Sequence, residues 1–144
     1  RILHETIHTY CLFTLQHAAC TPLIAIEETT SESLGDGLYK VTATVANTGF
    51  LPTFMTERAL AHGTAKSVIV QLGGADEVLI GQQTTDIGHL AGRDERTSTW
   101  SPWLRQWSAT KHKLEWLVRA SDGGTLTITA GAERGGVQSV EVSL

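Results

Sequence analysis

The chain has 144 residues, 41% of them hydrophobic, with 11 Lys and Arg against 15 Asp and Glu, for a formal charge of −4. That length suits one domain with a core that needs no disulfide support. The acidic balance, with no basic cluster, argues against a nucleic-acid partner, and no apolar run approaches the ~20 residues that span a bilayer.

The chain opens on Arg1 rather than methionine, as expected for a piece cut from something longer. His4, Glu5 and His8 interrupt the place where a secretory signal would keep a continuous apolar segment. Residues 2 to 20 read as the one long helix. Leu3, Ile7, Tyr10, Cys11, Leu15 and Ala18 recur at helical spacing, and Leu12, Phe13 and Ala19 widen the stripe almost all the way round. A helix this apolar is expected to be covered on more than one side. Thr21-Pro22 ends it. Cys11 and Cys20 on one helix stand about 13 Å apart along its axis, too far for a disulfide. They are expected to be free, buried thiols, which suits a reducing compartment.

From Pro22 the pattern changes to strands. Leu23 to Thr29 is the first, followed by a polar, acidic connection (Thr30, Ser31, Glu32, Ser33) and a Gly35-Asp36-Gly37 turn. Leu38 to Val45 alternates strictly: Leu38, Lys40, Thr42 and Thr44 point one way, and Tyr39, Val41, Ala43 and Val45 the other. Asn47-Thr48-Gly49 then makes a corner, with Asn47 tolerant of positive φ, and Pro52 restricts Leu51 to extended geometry. Phe50 and Leu51 are expected to cap one end of the core. Phe54 to His62 holds at most a helical turn. Further strands are predicted at Lys66–Leu72, Glu77–Gly81, Thr84–Leu90, Lys111–Ala120, Thr125–Gly131 and Val137–Leu144. The pairs Gly73-Gly74, Gly123-Gly124 and Gly135-Gly136 stand where hairpin turns are expected. About seven or eight short strands without interleaved helices predict a mainly β fold: an Ig-like antiparallel β-sandwich over 22–144, preceded by a connector helix over 1–21.

Three groups of residues bear on chemistry. His4-Glu5-Thr6-Ile7-His8 is an H-E-x-x-H, in which two histidines four apart on a helix grip zinc and the glutamate serves as general base. A catalytic site needs a third ligand, and His17 points to the far side of the helix. Glu28 falls in a predicted strand, not on a second helix. The residues therefore favour structural histidines, with a small zinc peptidase of His4, Glu5 and His8 as the alternative. Trp100, Trp103 and Trp107 form the second group. Ser101-Pro102 starts a short helix that puts Trp103 and Trp107 on one face, a platform for carbohydrate or protein if exposed and a packing surface if not. Trp116, between Leu114 and Val118, is expected in the core. The third group is Glu27, Glu28 and Glu32, read as a solvated acidic turn rather than a calcium loop. Glu57-Arg58 and Arg93-Asp94-Glu95-Arg96 read as solvated ion pairs.

Several segments in order carry a resemblance: His17-Ala18 and Pro22 before a strand, Val45-Ala-Asn-Thr-Gly-Phe-Leu-Pro-Thr53, Glu57-Arg58-Ala59, Gly88-His-Leu-Ala-Gly-Arg93, and Leu114-Glu-Trp-Leu-Val-Arg119. Together they resemble the β-sandwich domain that follows the catalytic domain in some bacterial zinc carboxypeptidases of the carboxypeptidase A type. The resemblance implies that residues 2–20 join such a catalytic domain to the sandwich. It also implies that zinc and its ligands belong to that domain, since no position here matches the family's H-x-x-E pair. The expected function is thus a non-catalytic accessory domain without a cofactor of its own. Its expected partner is the catalytic domain of the same chain, with homo-oligomer contacts as a further possibility. Asn47, Gly49 and Pro52 are expected to be structural corner residues, not a site.

Overall fold

In the computed structural model, residues 2–93, 109–121 and 123–144 are described. The strand with strict alternation sets the pattern for the rest. β2 (Leu38–Asn47) buries Tyr39, Val41, Ala43 and Val45 and turns Lys40, Thr42 and Thr44 outward, as a period of two dictates. It pairs antiparallel with β1 (Ile24–Gly35) on one side and with β6 (Lys111–Arg119) on the other. β4 (Glu77–Ile80) completes this first sheet, in the order β1-β2-β6-β4. The second sheet runs β5-β3-β7-β8, from β3 (Val68–Gly73), β5 (Thr84–Gly88), β7 (Thr125–Ala132) and β8 (Gly136–Ser143). All described pairings are antiparallel.

The two sheets face each other across one hydrophobic core. Ile24, Ile26, Val41, Val45, Leu114, Trp116 and Val118 from the first meet Val68, Val70, Leu72, Leu126, Ile128, Ala130 and Val142 from the second. Trp116 is buried as expected, and its indole N–H donates to the Gln82 carbonyl at 3.0 Å, so the one polar atom of the ring is satisfied. Along one side β1 and β8 are stitched together. The Ile26 N–H donates to Gln138 Oε1 (2.6 Å), and the Ser31 hydroxyl donates to the Ser143 carbonyl (3.0 Å). The mainly β two-sheet fold read from the alternation is therefore what the chain adopts.

Three local expectations are corrected. The acidic stretch Thr30 to Ser33 is not a connection but the second half of β1, paired with Tyr39 to Thr42. Its polarity reflects a strand edge that faces solvent, not a loop. Of the three glycine pairs, only Gly135-Gly136 closes a hairpin, between β7 and β8. Gly73-Gly74 and Gly123-Gly124 carry the chain from one sheet to the other, since β3 and β4, and β6 and β7, lie in different sheets. A glycine pair marks a sharp change of direction, and the sequence does not say whether the chain returns beside itself or crosses over. The stretch Phe54 to His62 does contain one short helix, α2 (Glu57–Ala61), whose N-cap Thr56 accepts from the Ala59 N–H at 3.2 Å.

The predicted N-terminal helix forms as α1 (Ile2–Ala19), but residues 3–19 are all exposed. Leu3, Tyr10 and Leu15 each leave about two thirds of their surface in water (69%, 67% and 66%), and Ile7, Leu12 and Phe13 at least half. The thiol expectation changes accordingly: Cys11 and Cys20 are free, but Cys11 is exposed and Cys20 half-buried. Among the described residues, no helix is long and apolar enough to cross a membrane.

The core sets the stability. Leu126 is fully buried between the sheets, so Leu126→Ala is expected to cost about 2–5 kcal/mol. The midpoint of chemical denaturation at constant slope measures it.

Candidate functional site

The residues with the most unusual environment lie at the end of the sandwich where α1 joins it. Among the described residues, Asn47 and Thr53 are the buried polar side chains (2% and 5% exposed). Both belong to the corner that follows β2. Asn47 ends the strand with its side chain turned inward. Its Oδ1 accepts from the Leu23 and Gly49 N–H groups, each at 3.0 Å. Its Nδ2 donates to the carbonyls of Leu51 (2.9 Å), Ala91 (3.3 Å) and Leu90 (3.5 Å). With two backbone donors on one side and three carbonyls on the other, only one orientation of the amide satisfies the site. One carboxamide thereby joins three separate segments: 20–23, 47–53 and 90–93.

Backbone hydrogen bonds repeat the connection. Thr48 N–H donates to the Leu23 carbonyl (2.8 Å), Leu51 N–H to Cys20 (2.9 Å), Thr53 N–H to Leu90 (3.0 Å) and Arg93 N–H to Gly49 (3.2 Å). The Thr53 hydroxyl accepts in turn from the Leu90 N–H at 3.0 Å. Where these segments touch backbone to backbone there is no room for a side chain, and two glycines make the approach possible. A Cβ on Gly49 would stand 2.4 Å from the Thr21 carbonyl oxygen and 2.7 Å from Pro22 Cα. On Gly92 it would stand 2.1 Å from the Phe50 carbonyl oxygen. Pro52, which needs no N–H partner, is buried in the same corner.

The corner residues named from the sequence thus come together, for a different reason than turn geometry. Gly49 is absent from the positive-φ glycines, and among the non-glycine residues described only Asp36 has positive φ. Asn47 is required for its side chain and Gly49 for its lack of one. Phe50 and Leu51 do not cap the core: Phe50 is half exposed and Leu51 only partly buried. Sequence reasoning missed Thr53 and Gly92. Both lay within the quoted motifs, yet nothing in their spacing says that residues 53 and 90–92 meet. Asn47, Gly49, Pro52 and Thr53 act here through hydrogen bonds and close packing.

The other candidates are placed as follows. His4, Glu5 and His8 sit on the exposed face of α1, and among the described residues no group of three or more His, Cys, Asp or Glu side chains is arranged to hold a metal. His17, also exposed, packs its ring on Phe13 with centroids 4.3 Å apart. Trp100, Trp103 and Trp107, the helix predicted after Ser101, and Asp94 to Arg96 lie outside the described residues. Arg58 Nε donates to His62 Nε2 at 3.5 Å, and the Glu57 side chain lies outside the described residues.

The acidic residues lie on a strand, not in a turn. A bulge in β1 between Ile26 and Glu28 places Glu27 against Lys111 in an ion pair, while Glu28 and Glu32 line the outer face of the first sheet. There they border a shallow trough with Thr30, Lys40, Thr42, Thr44, Lys113 and Glu115. Charges of both signs alternate across it. Lys113, 3.2 Å from Glu115, and then the charge of Lys40 hold the Glu115 carboxyl below its ordinary range.

Two measurements follow. Asn47→Ala leaves the Leu23 and Gly49 N–H groups facing a void, and is expected to cost about 2–4 kcal/mol in chemical denaturation. Because the folded pKa of Glu115 is depressed, its stabilising effect is present above the unfolded carboxylate value and is lost as pH falls through the folded one. The carboxyl is fully exposed, so its NMR titration midpoint is expected to move back toward the ordinary glutamate value in Lys113→Gln and in about 1 M salt.

Comparison with known proteins adds a family but no activity. No curated protein matches the sequence. A solved structure, the crystal structure of DesR, a beta-glucosidase from Streptomyces venezuelae in complex with D-glucose, aligns with 85% of this chain and 15% of that one. Its identity is 14% and its TM-score 0.32, too low to carry an argument. A family model described as "Domain of unknown function (DUF8731)" matches residues 23–143, the whole sandwich without α1, and the chain belongs to that family.

Proposed function

We propose that this chain is a non-catalytic accessory β-sandwich of a zinc metallocarboxypeptidase, which packs on the catalytic domain and positions it. The observation that carries the reading is α1. Large apolar side chains around its circumference stand half or more exposed, while the core of the sandwich is built from residues beyond Pro22. A helix apolar almost all the way round is at rest only where a protein body encloses most of it. A second copy of the same helix would cover one stripe and leave the rest in water, so a globular domain is the better occupant. The family unit begins at residue 23, which agrees with assigning α1 to a neighbouring body. The carboxypeptidase identity of that body rests on the ordered resemblance of Val45 to Thr53, Gly88 to Arg93 and Leu114 to Arg119.

In this reading the sandwich contributes no ligand to zinc and no group to peptide hydrolysis. It holds one face of the catalytic domain through α1. The small zinc peptidase of His4, Glu5 and His8 gains no geometric support, because among the described residues no third ligand stands beside the pair. A binding platform of Trp100, Trp103 and Trp107 has no structural observation in its favour.

Two results test the proposal. Residues encoded directly upstream of Arg1 are expected to contain an H-x-x-E pair and a later histidine; a preceding domain of another kind overturns the carboxypeptidase assignment. The 144-residue protein incubated with zinc and a peptide is expected to release no C-terminal residue. Release that vanishes in the His4→Ala, His8→Ala double variant overturns the non-catalytic role.

A further inference from the structure

We propose that the Asn47 corner is a rigid joint that locks α1 in one direction relative to the two sheets, so that any body enclosing the helix is held in a single orientation to the sandwich. The inference does not depend on which domain covers α1. It rests on how the backbone is held between the last helical turn and the first strand.

Helical hydrogen bonding continues to Cys20, whose N–H reaches the carbonyls of Gln16 and His17, each at 3.1 Å. The carbonyl of the same residue already accepts from the Leu51 N–H of the corner. At Leu23 both backbone groups are taken: its N–H by Asn47 Oδ1 and its carbonyl by the Thr48 N–H. Ile24 N–H then donates to the Gly135 carbonyl at 2.9 Å, on the turn between β7 and β8. Only Thr21 and Pro22 remain between these anchors. The Thr21 hydroxyl bonds back to the Ala18 carbonyl at 3.0 Å, the ring of Pro22 restricts its φ, and Pro22 is buried. Gly49 lies against both residues, as the 2.4 Å and 2.7 Å approaches of a notional Cβ show. Between helix and sheet, Cys20 and Leu23 are thus bonded to the corner, Thr21 to the last helical turn, and Pro22 is buried.

A connector that only tethered two bodies would be built differently. Flexible linkers are rich in Gly and Ser and keep their backbone hydrated. Here four residues, of which Cys20 and Leu23 are bonded to the corner, join an 18-residue helix to the first strand, and a buried carboxamide clamps the junction. An 18-residue helix, about 27 Å long at 1.5 Å per residue, acts as a lever arm, so a small rotation at its base displaces the far end by several ångströms. Fixing the base therefore fixes what the helix carries. Asn47 is a positioning residue in this arrangement: it acts through backbone groups and touches no ligand.

Distances measured by pulsed electron paramagnetic resonance decide the question. Nitroxides at Cys11, exposed on α1, and at Glu141→Cys, exposed on β8, are used in a Cys20→Ser background, spin-diluted with unlabelled protein. The parent is expected to give one narrow distance distribution. A Gly-Ser-Gly-Ser insertion between Cys20 and Thr21 leaves helix and sandwich intact, and is expected to broaden the distribution at least about twofold. Asn47→Ala, with its near-UV circular dichroism retained, is expected to broaden it in the same way. A parent distribution as wide as that of the insertion variant overturns the proposal. So does a folded Asn47→Ala protein that keeps the narrow one. Should Asn47→Ala not fold, the comparison of parent with insertion variant still decides between joint and tether.

Discussion

A single buried carboxamide, that of Asn47, is the constraint on which the end of this sandwich depends. A polar side chain is tolerated inside a protein only when each of its donors and acceptors is matched. Asn47 meets that condition with backbone groups of Leu23, Gly49, Leu51, Leu90 and Ala91. The requirement runs both ways. The side chain is tolerated only if three chain segments converge on it, and those segments, rich in backbone polar groups away from the ladders, are held together by it and by the backbone bonds that run alongside. The glycines at 49 and 92 belong to the same constraint, since any side chain at either position would drive two backbones apart.

This end of the molecule differs in kind from the rest. Between the sheets, stability comes from non-directional burial: Val41, Val45, Val68, Val70, Val118 and Leu126 are sealed from water, and a neighbour of similar volume would serve nearly as well. At the corner, stability comes from directional hydrogen bonds with one geometry. Apolar packing makes a sandwich; directional bonding decides where the chain enters it. The placement of α1 is set by the second kind of interaction, which is why an exposed helix can still have a defined course.

Much of the fold was legible. The alternation from Leu38 to Val45 assigned inner and outer faces correctly, and Trp116 fell in the core because a bulky apolar residue flanked at ±2 by Leu114 and Val118 has nowhere else to go. Less was legible where a signal has two structural meanings. Gly73-Gly74 and Gly123-Gly124 marked turns truly, but whether a turn pairs its flanking strands or sends one to the opposite sheet depends on partners far away in the chain. The polar run Thr30 to Ser33 looks like a connection in the sequence because both faces of β1 are exposed there, leaving no alternation to read. The helix is legible in its spacing, yet the burial that its apolar surface implies for Cys11 is not supplied by this chain. Apolar periodicity reports that a surface wants cover and does not name the provider.

By itself, the sequence determined the periodicities: one helix, then strands, with their inward residues and the places where the chain must bend. These are local properties, fixed by spacing of 3.6 or 2 residues and by the backbone freedom of glycine and proline. Only the tertiary structure decided that Asn47 and Gly49 are needed for contact and not for turn conformation. Their partners at Cys20 to Leu23 and at Leu90 to Arg93 lie more than twenty residues away on either side, and no local rule links them. The exposure of α1 was decided at the same level, because cover is a relation between surfaces and a helix cannot specify both.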